Sequence, residues 1–124
     1  MEPQKISNLG VLEDKTYSFA LRIVKAHQYL IDKNEYILSK QLLRSGTSIG
    51  ANCREATFAQ SKQDFVSKLS IALKETNETI YWIELLHDSG YISNDSFKSI
   101  HKDGLEILKL LVSIIKTTKT NLQK

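Results

Sequence analysis

Apolar residues return along this chain at intervals of three and four, and nowhere over a useful length at intervals of two. From Leu12 to Ile31 they fall at Leu12, Phe19, Ala20, Ile23, Val24, Leu30 and Ile31, with His27 in the same series. That is one face of an amphipathic helix, closed by Asp32-Lys33-Asn34. A second helix starts near Glu35 and carries Ile37, Leu38, Leu42, Ser45, Ile49, Cys53 and Ala56 on one stripe. Within it Gly46 and Gly50 each cost about 1 kcal/mol relative to alanine, so a closely packed neighbour is expected on the face they share. Ser61, with Asp64 three residues later, reads as an N-cap followed by an acid that complements the helix dipole. The third helix then runs to about Asp88 on Phe65, Leu69, Ala72, Leu73, Thr76, Ile80, Ile83 and Leu86 or His87, and Ser89-Gly90 stops it. Ser93 to Ser96 opens a fourth helix whose stripe is Phe97, Ile100, Gly104, Leu105, Leu108, Leu111, Val112 and Ile115.

Four such helices on short connections predict an all-α fold, an antiparallel up-down-up-down four-helix bundle, because short loops force neighbours to run in opposite directions. The expected organisation is one domain over residues 1–124, with a flexible lead at 1–9 and a frayed tail at 118–124. Ile107, Leu110 and Ile114 widen the apolar arc of the fourth helix beyond one core stripe, and Tyr81, Trp82 and Leu85 lie off the stripe of the third. Apolar surface on that scale predicts a homo-oligomer.

Composition narrows the function classes. With 41% apolar and 25% charged residues, five glycines and one proline, the chain is an ordinary globular sequence rather than a disordered or many-stranded one. Its single cysteine, Cys53, excludes an internal disulfide and suits a reducing compartment. No apolar leader or membrane span is present, so a cytoplasmic protein without a membrane partner is expected. The formal net charge of +3 is unevenly spread, since residues 61–89 carry more acids than bases while both flanks are basic. Arg22, Lys25, Lys40, Arg44, Lys109, Lys116 and Lys119 are candidate contacts to a nucleic acid, RNA or DNA, as phosphate neutralisation needs such cations.

The polar residues offer little chemistry. Neither a phosphate-binding glycine loop nor a nucleophile elbow occurs, and no catalytic residue, metal site, cofactor or small-molecule substrate is identified. Asn52, Glu55, Lys68, Lys74, Glu75, Glu78 and Trp82 instead form a candidate intersubunit polar network. On the third helix Lys68, Glu75 and Trp82 repeat at seven, Glu78 completes a face distinct from the core stripe, and Lys74 with Glu78 is an i, i+4 pair. A carboxylate metal site on Glu75, Glu78, Glu84 and His87 is the competing reading, but Glu84-Leu85-Leu86-His87 supplies one Glu-x-x-His where a bundle site needs two. Cys53 reads as a small core residue rather than a nucleophile.

The run Gly46-Thr47-Ser48-Ile49-Gly50-Ala51-Asn52, followed by Glu55-Ala56, Ser61, Asp64-Phe65, Lys68, Ile71-Ala72, Lys74-Glu75, Glu78-Thr79 and Tyr81-Trp82, closely resembles the bacterial four helix bundle protein family. That family includes proteins encoded in rRNA intervening sequences and is similar to the accessory variability proteins of diversity-generating retroelements. The resemblance covers almost the whole chain. It implies an antiparallel four-helix protomer closed into a ring, typically a pentamer, with no enzyme activity, and the retroelement relatives engage nucleic acid as basic barrels. The expected function is therefore a non-enzymatic oligomeric bundle that binds nucleic acid or acts as a scaffold. The alternative is a protein–protein adaptor that binds no nucleic acid.

Overall fold

The computed structural model describes residues 8–122 and contains four helices: α1 (Leu9–Asp32), α2 (Leu38–Thr57), α3 (Lys62–Asp88) and α4 (Asn94–Leu122). No strand occurs among the described residues, and none of the helices is long and apolar enough to cross a membrane. Each helix packs on its neighbour in the chain, and α1 meets α4 along the thinnest of the four seams. One apolar cluster fills the space between them, with Leu12, Phe19, Ile23, Leu42, Ile49, Phe65, Leu69, Ile83, Leu86, Ile107 and Leu111 all sealed from solvent.

The local signals explain where the helices end. Asn34 takes a left-handed conformation (φ 63°), which lets the Glu35 amide return to the carbonyl of Leu30 and closes α1. Gly90 does the same for α3 at φ 90°, with the Tyr91 amide bonded to the Leu86 carbonyl. At the start of α3 the Ser61 hydroxyl accepts the Asp64 amide at 3.0 Å, and Asp64 Oδ2 reaches back to the amide of Gln60. This is a capping-box variant in which the N3 carboxylate takes the amide of Gln60, one residue before the cap, in place of that of Ser61.

Several expectations need correction. α1 opens at Leu9, inside the stretch expected to be a flexible lead, and Leu9 is buried. α4 continues through 118–122, where fraying was expected, with Thr118 buried and its hydroxyl bonded to the Ile114 carbonyl. Residues 1–7 and 123–124 lie outside the described residues. α2 begins at Leu38 rather than Glu35, and Ile37 is 77% exposed instead of core. The Glu35 carboxylate is itself the cap: buried, it accepts the amides of Leu38 and Ser39 at 2.9 and 2.7 Å, while the Ser39 hydroxyl donates to the Glu35 carbonyl. Val24, Ile31 and Val112 are exposed. The core face of α4 runs through Ile100, Gly104, Ile107, Leu111, Ile114, Ile115 and Thr118, so Ile107 and Ile114 belong to the protomer's own core.

The glycine-bearing turn of α2 is a place where two helices approach closely. A Cβ placed on Gly46 would lie 2.8 Å from two carbons of the Ile23 side chain. On the opposite flank the Ser45 hydroxyl accepts a hydrogen bond from Thr79 Oγ1 at 2.8 Å, joining α2 to α3 between two buried side chains.

Candidate functional site

The polar set predicted from the sequence divides in two. Glu75 and Glu78 project from α3 toward α2, where Arg44 meets both, at 3.3 and 2.7 Å. The guanidinium fork suits two carboxylates one turn apart, each taking a different terminal nitrogen. Its hydrogen bond to Glu78 is the main reason that this carboxyl lies below the usual glutamate range. That contribution is present above the ordinary value of 4.5 and is lost as pH falls through the lowered one. Two turns toward the other end of the seam, Lys68 pairs with Glu55 at 3.7 Å. The remaining members behave differently. Asn52 donates to the Ser48 carbonyl of its own helix, and Lys74 is exposed, with Glu78 paired to Arg44 instead.

Trp82 follows one turn after Glu78. Its indole N–H is sealed from solvent without a hydrogen-bond partner, and its influence on Glu78 is the weakest of the groups that lower that carboxyl. The Tyr81 ring stands edge-on to it at 5.1 Å between centroids. The adjoining surface of α3 exposes Ile71, Tyr81 and Leu85. Across the α1–α2 face, Tyr17, Leu21 and Val24 are exposed beside a shallow groove lined by Thr47, Gly50, Ala51 and Arg54.

The residues of the metal reading do not converge. Glu84 binds His101 at 2.9 Å, while His87 contacts Asp88 and Asn94. No group of three or more His, Cys, Asp or Glu side chains that could hold an ion occurs among the described residues. Cys53 is fully buried, and desolvation pushes its thiol up to about 12, which keeps it protonated and poorly nucleophilic at neutral pH.

The candidate nucleic-acid contacts also separate. Arg22 is engaged by Asp103 at 2.5 Å and by the Ser99 hydroxyl, and Arg44 is held by the two glutamates. Both arginines therefore serve seams between helices. Lys25, Lys40, Lys109, Lys116 and Lys119 are exposed and make no ion pair among the described residues. Two further lysines, Lys98 and Lys102, were absent from the predicted set. Together with Lys109 and Lys116 they recur at spacings of four, seven and seven, which places all four on one outward line along α4. At a rise of 1.5 Å per residue that line is roughly 27 Å long. The repeat was visible in the sequence as the polar complement of the core stripe.

The glycine-bearing α2, the paired seam onto α3 and the lysine-lined α4 can be set against known proteins. A crystal structure of a protein of unknown function from the S23 ribosomal protein family of Bacteroides thetaiotaomicron superposes with a TM-score of 0.86 at 55% sequence identity, covering 88% of this chain and 98% of that one. No match to a curated protein is found. The family model described as 23S rRNA-intervening sequence protein matches residues 9–113, from the first residue of α1 into the last turns of α4. With the shared helical frame and the motif block all inside that span, the chain belongs to the 23S rRNA-intervening sequence protein family.

Proposed function

We propose that the protein is a non-enzymatic, cytoplasmic, closed homo-oligomer of up-down-up-down helical bundles, a pentamer in its favoured form, that binds nucleic acid along α4. The observation that carries this reading is the line of exposed lysines at 98, 102, 109 and 116, extended by Lys119 at the end of the helix. No acid interrupts it: Glu106 and Asp103 turn toward α1, where they pair with Lys15 and Arg22. A straight row of cations on one rigid helix can follow a phosphate backbone without reading bases, which favours shape over sequence. Phosphates of RNA and DNA alike would satisfy such a row of cations, and structured RNA is the form tested first.

The test is fluorescence anisotropy with labelled RNA duplexes and hairpins of mixed sequence. Binding should weaken steeply with added salt, and each Lys→Ala change on the line should reduce the salt slope by about one. Arg22→Ala and Arg44→Ala, which lose seam contacts, should leave that slope unchanged. Absence of binding at low salt, to either RNA or DNA, removes the proposal. Recovery of a polypeptide partner that survives nuclease treatment supports the adaptor reading in its place.

A further inference from the structure

The α1–α4 seam is built as a series of matched polar pairs that stops one step short. Lys15 meets Glu106 at 3.2 Å, and seven residues further along α1, three residues back along α4, Arg22 meets Asp103. The next cation in α1 is Lys25, and the residues that α4 and the turn before it present on that side are Ser99, Ser96 and Ser93, none of which carries a charge. Ser99 is taken by Arg22. Lys25 therefore stands on the seam without a carboxylate, among the described residues.

At the same place the two helices leave a cleft of about 370 Å³. Its floor is apolar, formed by Leu42, Ile83, Leu86, Ile92 and Ile100, and its rim carries Lys25, Arg22, Tyr29, Ser93 and Ser96. No acidic side chain lines it. The volume falls within the range of small-ligand pockets, and the combination of a deep aliphatic floor with one uncommitted cation at the mouth sets the chemistry of what fits. An aliphatic chain would cover the floor, and a single negative charge at its end would supply the carboxylate that the seam lacks.

We propose that this cleft binds an amphipathic monocarboxylate, its chain on Leu42, Ile83, Leu86 and Ile100 and its carboxylate on Lys25 with Ser96 and Ser93 as hydroxyl donors. The ligand completes the α1–α4 seam as Glu106 and Asp103 do on the turns before it. Binding is thus coupled to closure of the seam that α1 and α4 hold least firmly.

Isothermal titration of the intact chain with sodium octanoate tests this, with 1-octanol as the uncharged probe of equal chain length. Saturable uptake of one octanoate per chain is expected, with octanol at least about tenfold weaker. Ser96→Asp installs the missing acid in the first turn of α4, where a negative charge also suits the helix dipole. That variant should melt no lower than the parent yet bind octanoate at least about tenfold more weakly, and Lys25→Met, which keeps the aliphatic stem, should lose binding to the same extent. Equal affinity for octanol and octanoate, unchanged binding in both variants, or no saturable uptake in the millimolar range overturns the proposal.

Discussion

Gly46 and Gly50 lie one turn apart on α2 and face the same helix, yet a methyl group affects them in opposite directions. At Gly46 the added carbon meets Ile23 at 2.8 Å through Cγ1 and Cγ2, which are fixed by a β-branched side chain with no exposed surface. Relief would require α1 and α2 to separate. At Gly50 the nearest atoms are the carbonyl oxygen and hydroxyl of Thr16 at 3.4 Å, an ordinary contact. Gly46→Ala is therefore expected to lower stability by about 1–3 kcal/mol despite its better helix propensity. Gly50→Ala should raise stability by up to about 1 kcal/mol. Urea unfolding of the two variants decides the matter, and equal shifts of the same sign would show that the close approach is not confined to Gly46. The need for small residues in this turn is legible in the sequence, but the difference between the two glycines depends on which residue of α1 stands opposite. Glu35 is a similar case. Its residue type argues for a helix start, while its function as a buried cap becomes visible only once Leu38 and Ser39 are seen to donate to it.

At the scale of an element, the apolar pattern located all four helices but misjudged the rotation of the last. α4 carries apolar residues at 105, 107, 108, 110, 111, 112, 114 and 115, which nearly surround it, so no single stripe is favoured by the apolar residues alone. Its polar side sets the phase. Asp103 and Glu106 are drawn to α1 by Arg22 and Lys15, the four lysines face outward, and Gly104 lets Ile80 approach to 3.2 Å of where a Cβ would stand. The joint between α3 and α4 carries a titratable contact that the sequence indicated only as a histidine near a helix end. His87 touches Asn94 Oδ1 through Nε2 and Asp88 Oδ1 through Nδ1, and its ring stacks on Phe97 at 4.1 Å, with His101 on Phe97 at 4.8 Å. Only the imidazolium donates from both nitrogens, so the bond to Asn94 first, and Asp88 second, raise the His87 pKa above its ordinary 6.5. The sign follows by linkage: a raised folded value gives stability that is complete below the ordinary value and is lost as pH climbs through the raised one. Melting temperatures should accordingly fall across that window in the parent, and the fall should be absent in His87→Gln. An identical pH dependence in both proteins would assign it to another group.

For the whole molecule the question is which surface the proposed assembly would use. The wide apolar arc of α4 cannot serve, because Ile107 and Ile114 are already buried within the protomer. Among the exposed apolar residues, two faces on different helices each gather three. Tyr17, Leu21 and Val24 line the outside of α1 with exposures of 57, 51 and 37%, and Ile71, Tyr81 and Leu85 line the outside of α3 at 41, 56 and 36%. These faces belong to helices that stand diagonally in the bundle, since the backbone of α1 comes close to α2 and α4 but not to α3 among the described residues. A contact joining the α1 face of one copy to the α3 face of the next is heterologous, and it closes into a ring where its repeated rotation completes a full turn. Light scattering should therefore give a closed oligomer at micromolar concentration. Leu21→Glu and Tyr81→Glu should each yield monomers of unchanged helicity, since both side chains are more than half exposed and contribute little to the protomer core. Mixing the two variants should not restore a ring, because each copy must offer both faces. A monomeric parent would remove the assembly altogether, and oligomers that survive both substitutions would place the contact on another face.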